Sequence, residues 1–372
     1  MSRRPQYLRT ATAGACLLAL AVSGCTSIQL GSSLGPPDAQ APTLPLAEAW
    51  ERDAQGAFGP GAPLITTRYV VVGTRRGEVV VLDRETGDTE GVGEFGDSVE
   101  GQLATSENGQ ILYVATAERG GGVEAYDVQR GRRIWRWRGG PTSGGVVRIG
   151  TRLVVPLLNG TLAGLDIASG DVLWERPLAT GTQIHAAPVA AAEDVIVADD
   201  RGYVRRIDPA TGDDRWSVSV EEPIYATPTV GEGALVVTTT RGHVVRIGLE
   251  EGEAVWRSAP APGTRATPVA IAAGRLAVGF TDGTTRVLDL ETGQEHWSHL
   301  SDGNIAATPS WVDGQVVVGT MDRRLLVLDG DTGEEVWSRQ LRGRVKSALG
   351  VGGGLLVALV EPRHVIAFEA SP

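Results

Sequence analysis

The sequence predicts an all-β protein: an eight-bladed β-propeller of four-stranded antiparallel blades, closed by the N-terminal strand completing the C-terminal blade. Three observations carry this. A pattern Leu-Asp-x-x-Thr-Gly-x-x-x-Trp returns down the chain, most completely at residues 328–337. Its turn glycines, Gly87, Gly131, Gly170, Gly212, Gly252, Gly293 and Gly333, stand 44, 39, 42, 40, 41 and 40 residues apart, within the range of propeller repeats. Finally, a Trp strand without a hairpin, around Trp50 near the start, matches a hairpin without a Trp strand, residues 355–369, at the end.

Each repeat accounts for four strands in turn. An alternating, β-branched run precedes each marker glycine, as in residues 70–83, 153–166, 195–208 and 316–329. A turn breaks the run midway, at Arg76-Gly77, Asn159-Gly160, Arg201-Gly202, Arg241-Gly242 and Asp282-Gly283. Period-two alternation around such a turn is a hairpin, and it supplies the second and third strands. Asp and Thr then flank a second tight turn, where Asp bonds nearby backbone N–H groups and Gly supplies positive φ. The Trp strand follows as the outer, fourth strand. The first strand is marked by Ala187-Pro188, Thr227-Pro228, Thr267-Pro268 and Thr308-Pro309, since Pro is tolerated at the first residue of a strand. Sheets of this kind bury their apolar faces by packing against the next copy around a ring.

The structural tryptophans are Trp50, Trp135, Trp174, Trp216, Trp256, Trp297 and Trp337, with Gly91 in the slot once. A buried Trp removes roughly 150–250 Å² from water, about 4–6 kcal/mol gross at 25 cal/mol per Å². Truncation to Ala is expected to cost roughly 3–5 kcal/mol. The blade carrying Gly91 is expected to be the weakest unless Phe95 compensates.

Residues 1–24 read as a signal peptide: Arg3, Arg4 and Arg9 precede an apolar run, residues 11–22, too short for a permanent membrane span. The run ends in Val22-Ser23-Gly24-Cys25, which resembles the bacterial lipobox, so Cys25 is expected to carry the lipid. Several acyl chains on one residue give stable attachment without a transmembrane helix. Ser2-Arg3-Arg4 leaves Sec and twin-arginine export both open. Residues 25–45, rich in Ser, Gly and Pro, read as the lipidated Cys and a flexible tether, with a random-coil reach of roughly 25 Å. Residues 46–372 form the propeller. Of the two cysteines, Cys16 leaves with the signal, so the mature domain is expected to have no disulfide.

The formal charge is −11, and the three arginines that leave with residues 1–24, which hold no acid, make it −14. Such a body is not expected to take nucleic acid or an anionic membrane surface as a partner. His185, His243, His296, His299 and His364 form no metal-binding motif, and neither a nucleophile elbow nor a phosphate loop is present. No metal, cofactor or catalytic residue is expected. One constellation goes further: His185, Tyr225 and Arg265 each stand three residues before a repeated Pro. Equivalent positions on adjacent blades converge on one rim of the central channel, making these residues candidates to bind a peptide segment or small anion. Their reading as water-facing loop residues stays open.

Stretches such as Ala125-Tyr126-Asp127 leading to Gly131 and Trp135, or Leu288-Asp289 leading to Gly293 and Trp297, resemble the tryptophan-docking repeat of quinoprotein (PQQ-like) propellers. WD40 blades fit less well, because no Trp-Asp dipeptide closes the unit. Within the PQQ-like group, the dehydrogenases imply pyrroloquinoline quinone over the ring axis beside calcium and a catalytic aspartate. They usually carry long inserts between blades and neighbouring cysteines. This chain has neither, and Asp83, Asp166, Asp208 and Asp329 are already explained by the turn slot. Lipobox, tether, blade number and length resemble instead the BamB family of propeller lipoproteins. That resemblance implies a monomeric, non-enzymatic scaffold on the outer membrane, facing the periplasm, that binds envelope proteins. Its principal partner would be the central β-barrel assembly protein (BamA-like). In Gram-negative lipoproteins an Asp after the lipidated cysteine favours inner-membrane retention, and Thr26 stands there. The stretches 180–185 and 220–225, the candidates for the family's partner loops, do not reproduce its contact residues. A generic envelope-binding lipoprotein with another ligand remains the alternative, with a PQQ-dependent dehydrogenase behind it.

Overall fold

The computed structural model describes residues 27–36, 39–96, 98–117, 120–142, 144–261 and 263–371. They form eight antiparallel sheets of four strands, with no helix among the described residues. Blades 1 to 7 run through residues 64–94, 104–137, 147–177, 189–219, 229–257, 270–300 and 310–340, each with its strands in sequence order. Blade 8 takes three strands from the C-terminal end, Gly350–Gly352, Leu355–Val360 and His364–Ala370. Its fourth is Leu46–Asp53, which pairs antiparallel with His364–Ala370 from Leu46↔Ala370 to Asp53↔His364. The head of the chain therefore completes the sheet begun by its tail, as the unmatched Trp strand predicts.

The core is divided among the gaps between blades. Eight apolar clusters each join two neighbouring blades, and together they cover every gap around the ring, including that between blades 8 and 1. The 8–1 cluster sets Val357, Leu359 and Val365 against Val70, Val72, Val80 and Leu82, with Trp50 at its outer end. Period-two alternation explains the arrangement: consecutive residues of a strand point into the gaps on its two sides. In Tyr69–Gly73, Val70 and Val72 face blade 8 while Tyr69 and Val71 face blade 2. Central strands buried on both faces read as continuous apolar runs.

The outer strands lock the ring. Six marker glycines lie under the indole of the preceding blade: Trp50 on Gly87, Trp135 on Gly170, Trp174 on Gly212, Trp216 on Gly252, Trp256 on Gly293 and Trp297 on Gly333. Each ring N–H also donates to a carbonyl of that turn, as in Trp50 Nε1 to Arg84 O at 2.8 Å and Trp297 Nε1 to Gly330 O at 3.0 Å. The glycines have φ between +64° and +78°, and a Cβ on those under an indole would lie 2.5–2.8 Å from ring atoms, so both backbone and space require glycine. Within the turns Asp83, Asp166, Asp289 and Asp329 each accept two backbone N–H bonds. Of the docked indoles, Trp50 and Trp297 are the buried ones, each 7% exposed. The other indoles keep an edge in water at the ring's perimeter, so their apolar contribution falls below the full-burial figure. Trp337 meets no marker glycine and packs edge-on against Phe368, centroids 6.3 Å apart.

The vacant slot at Gly91 is filled by a segment expected to be a flexible tether. Ile28 lies over Gly91 and Gly93, where an added Cβ would come within 3.2 Å of its Cα and 2.8 Å of its Cδ1. The Leu30 N–H donates to Val128 O at 2.7 Å and the Leu34 N–H to Gly109 O at 2.7 Å, and Ile28, Leu30 and Leu34 are buried. Further along, the Thr67 N–H donates to Gly35 O at 2.9 Å and the Gly354 N–H to Gln40 O at 2.8 Å. The described part of residues 27–45 is thus fastened to the propeller, and the random-coil expectation does not hold for it. Apolar side chains one at a time, each with a matching slot, hold it without any periodicity of its own. Phe95 is buried in the same cluster, with its ring edge-on to Tyr126 at 5.9 Å. Residues 1–24 and Cys25, read as signal and lipid site, lie outside the described residues.

Candidate functional site

A propeller blade sends its connections to two opposite faces, and hydrogen bonds sort them here. The turn between the first and second strands meets the turn between the third and fourth, as in Arg84 N to Arg68 O at 2.8 Å and Leu290 N to Gly274 O at 2.9 Å. On the other face, the start of each inter-blade loop meets the turn between the second and third strands. Examples are Leu178 N to Gly160 O at 2.8 Å and Ser301 N to Gly283 O at 2.9 Å. The inter-blade loops lead to the innermost strands, so this second face carries the rim of the axial channel.

A pocket of about 560 Å³ opens at that rim, and His185, Tyr225 and Arg265 all line it. The expected convergence is therefore present. The rings of His185 and Tyr225 meet edge-on with centroids 4.9 Å apart. His185 Nε2 lies 3.2 Å from Gln183 Oε1, while the Gln183 N–H donates to Asp200 Oδ1 at 2.8 Å. Arg265 is held by its backbone, whose N–H donates to Thr281 Oγ1 at 2.9 Å, leaving its side chain exposed at the mouth.

Lys346, the chain's single lysine, lines the same pocket and was missed by the sequence reading. It occupies the equivalent position in blade 8, where Leu349 replaces the marker Pro, so a search by Pro skips it. Counting one repeat on from Ala306 finds it. Its Nζ pairs with Glu361 Oε2 at 2.8 Å. The mouth thus combines an aromatic pair with basic side chains on an acidic body, a surface suited to carboxylates and peptide carbonyls.

Behind the rim, the inter-blade loop before blade 5 is clamped by a buried carboxylate. Glu222 accepts from Thr239 Oγ1 and from Arg257 Nη2, both at 2.6 Å, with His243 Nε2 3.5 Å away. Arg257 also donates to Val220 O at 3.0 Å. Tyr225 stands three residues beyond this clamp on the same loop. The opposite face has a wider depression of about 1160 Å³, but its charges largely satisfy one another. Arg206 meets Asp194 at 2.7 Å and Glu250 at 2.8 Å, and Arg215 meets Asp208 at 2.8 Å. Its polar groups are occupied in bracing blades, which makes it the weaker candidate. Among the described residues no group of three or more His, Cys, Asp or Glu is placed to hold a metal ion.

Eight four-stranded blades, indoles docked on the next blade's turn glycine and a ring closed from both chain ends define an eight-bladed propeller of the PQQ-like class. The family model described as outer membrane protein assembly factor BamB matches residues 47–192, 180–308 and 301–371. The chain belongs to that family. A curated relative, the outer membrane protein assembly factor BamB of Pseudomonas aeruginosa, is 28% identical over 163 residues. That match spans 41% of this chain and 42% of the relative's length. Among solved structures, BamB from Moraxella catarrhalis superposes with a TM-score of 0.75 at 20% identity, covering 87% of this chain and all of that one. A europium-containing methanol dehydrogenase reaches 0.69 at 13% identity, covering 85% of this chain and 84% of its own. At these identities both structural likenesses speak to the fold alone.

Proposed function

We propose that this chain is a lipid-anchored, non-enzymatic scaffold of the cell envelope. In this reading its pocketed rim binds protein partners in outer-membrane β-barrel assembly. Residues 1–24 would be removed as a signal peptide and Cys25 acylated, holding the propeller on the outer membrane's periplasmic side without a membrane-spanning segment. The observation that carries the reading is the match of the BamB family model to nearly every residue from 47 to 371. The rim adds chemical sense, because His185, Tyr225, Arg265 and Lys346 offer donors and an aromatic surface to an extended peptide. The principal partner would be the central β-barrel assembly protein, BamA-like.

Crosslinking in native membranes followed by mass spectrometry tests this. Crosslinks from the rim to a β-barrel assembly protein are expected. Crosslinks confined to unrelated envelope proteins would replace the assembly role with a generic binding one. Quinone absorbance and calcium-dependent dye reduction after reconstitution would replace the scaffold with an enzyme.

A further inference from the structure

Two features of blade 2 converge at its outer edge. The first is the docked segment. Ile28 is fully buried between blades 1 and 2, and the segment crosses the Gly131 turn with the Gln29 side chain 3.1 Å from where a Cβ of Gly131 would lie. Cys25 is three residues before Ile28, a distance that an extended chain spans in at most about 11 Å. The second is charge. Residues 124–138 contain Arg130, Arg132, Arg133, Arg136 and Arg138 against Glu124 and Asp127, a net of +3 in a chain of net −11. Arg133 and Arg136 share Glu124, at 3.4 and 3.1 Å, and Arg130 meets Asp127 at 3.0 Å. Arg132 and Arg138 are exposed, and Ile134 between them is 45% exposed on the outer strand.

We propose that this edge is a membrane-facing surface: the docked Ile28–Leu34 segment holds the lipid anchor against blade 2, and its arginines contact anionic phospholipid headgroups. The inference rests on the acylation of Cys25 proposed above. Its physical basis is proximity at the Gly131 turn: Arg130 and Arg132 flank the glycine that the Gln29 side chain covers, three residues' reach from the acyl group. Juxtamembrane arginines gain about 1 kcal/mol each from an anionic surface, close to fivefold in occupancy. The third-to-fourth-strand turns, Gly131's among them, belong to the face opposite the rim pocket. A propeller held this way presents the His185, Tyr225 and Arg265 mouth away from the bilayer.

The test uses the acylated protein from Cys25 onward in vesicles of phosphatidylethanolamine and phosphatidylglycerol, or of phosphatidylcholine alone. Acylation occupies the Cys25 thiol, so a fluorophore can be attached at Ile134→Cys or at Arg265→Cys, with a quencher on the lipid headgroup. Several-fold stronger quenching at position 134 than at 265 is expected with phosphatidylglycerol. The ratio should approach one in Ile28→Asp, which ejects the segment. It should fall at least threefold in the surface variant Arg130→Ser/Arg132→Ser/Arg133→Ser, which leaves the core intact. Equal quenching at both positions on acylated protein would overturn the proposal. So would an unchanged ratio in the arginine variant, above all if that variant instead lost an acidic protein partner. Mass spectrometry of the N-terminal peptide reads the anchor separately: an unmodified Cys25 overturns both the anchoring reading and this inference.

Discussion

Trp50→Ala tests the closure of the ring most directly. The indole is 7% exposed, lies on Gly87 of blade 1 and donates to Arg84 O at 2.8 Å, all from the strand that completes blade 8. Burying about 200 Å² at 25 cal/mol per Å² gives about 5 kcal/mol. Residual structure in the unfolded chain reduces that to about 3–4 kcal/mol. The lost hydrogen bond adds about 1 kcal/mol. A loss of about 4–5 kcal/mol is therefore expected, read as a drop in urea midpoint at unchanged slope by far-ultraviolet circular dichroism. Hydrogen exchange should locate it, with amides of Leu46–Asp53 losing protection before those of blades 3 to 6. Trp337→Ala, which vacates no glycine slot and removes a partly exposed ring, is the comparison and should cost less. A loss below about 1 kcal/mol for Trp50→Ala, or equal losses for the two variants, would refute the claim that indole-on-glycine docking closes the circle.

Gly333→Ala should destabilise by more than Gly314→Ala although both have φ +76°. The first Cβ would lie 2.5 Å from Trp297 and the second meets nothing within 4 Å, so only the backbone cost of about 1–2 kcal/mol is common to both, and thermal melts separate them. Glu222→Ala should cost about 2 kcal/mol in chemical denaturation and loosen the loop carrying Tyr225, because it strands Thr239 and Arg257. Asp329 and Asp289 are held below the ordinary carboxylate pKa, the first mainly by the Thr332 N–H and the second mainly by the Thr292 hydroxyl. Depressed folded values mean that their stabilisation is present above about pH 4 and disappears as pH falls through the folded pKa. Acid titrations of Asp329→Ala and Asp289→Ala should therefore converge on the unsubstituted protein as the pH is lowered below the ordinary carboxylate range. Replacing His185, Tyr225 and Arg265 together by Ala should leave the melting temperature within a few degrees while lowering crosslinking to the partner about tenfold.

The ring was legible because its physics repeats. Alternating Val and Leu, a turn glycine with positive φ and a Trp four residues later recur together, so each blade corroborates the next. The rim residues were legible for the same reason, since symmetry carries a sequence offset into a spatial circle. Illegible features were those that break the period. Ile28, Leu30 and Leu34 sit among Ser, Gly and Pro with no alternation, and only the vacancy at Gly91 signalled that something must cover that turn. Lys346 escaped because Leu349 stands where the marker Pro would be. Partial exposure of most indoles could not be read from sequence, because it depends on how far each outer strand projects beyond its neighbours.

Joining residues 46–53 to residues 364–370 also imposes an order on biosynthesis. The first strand to leave the ribosome is the last to find its partner, since more than three hundred residues must follow before His364–Ala370 exists. Until then its backbone groups and the exposed gap face of blade 1 have no native cover, and no truncated product can supply it. Closure of the ring is consequently a post-synthetic event, and the unpaired edges at both ends are open to non-native contacts until they meet.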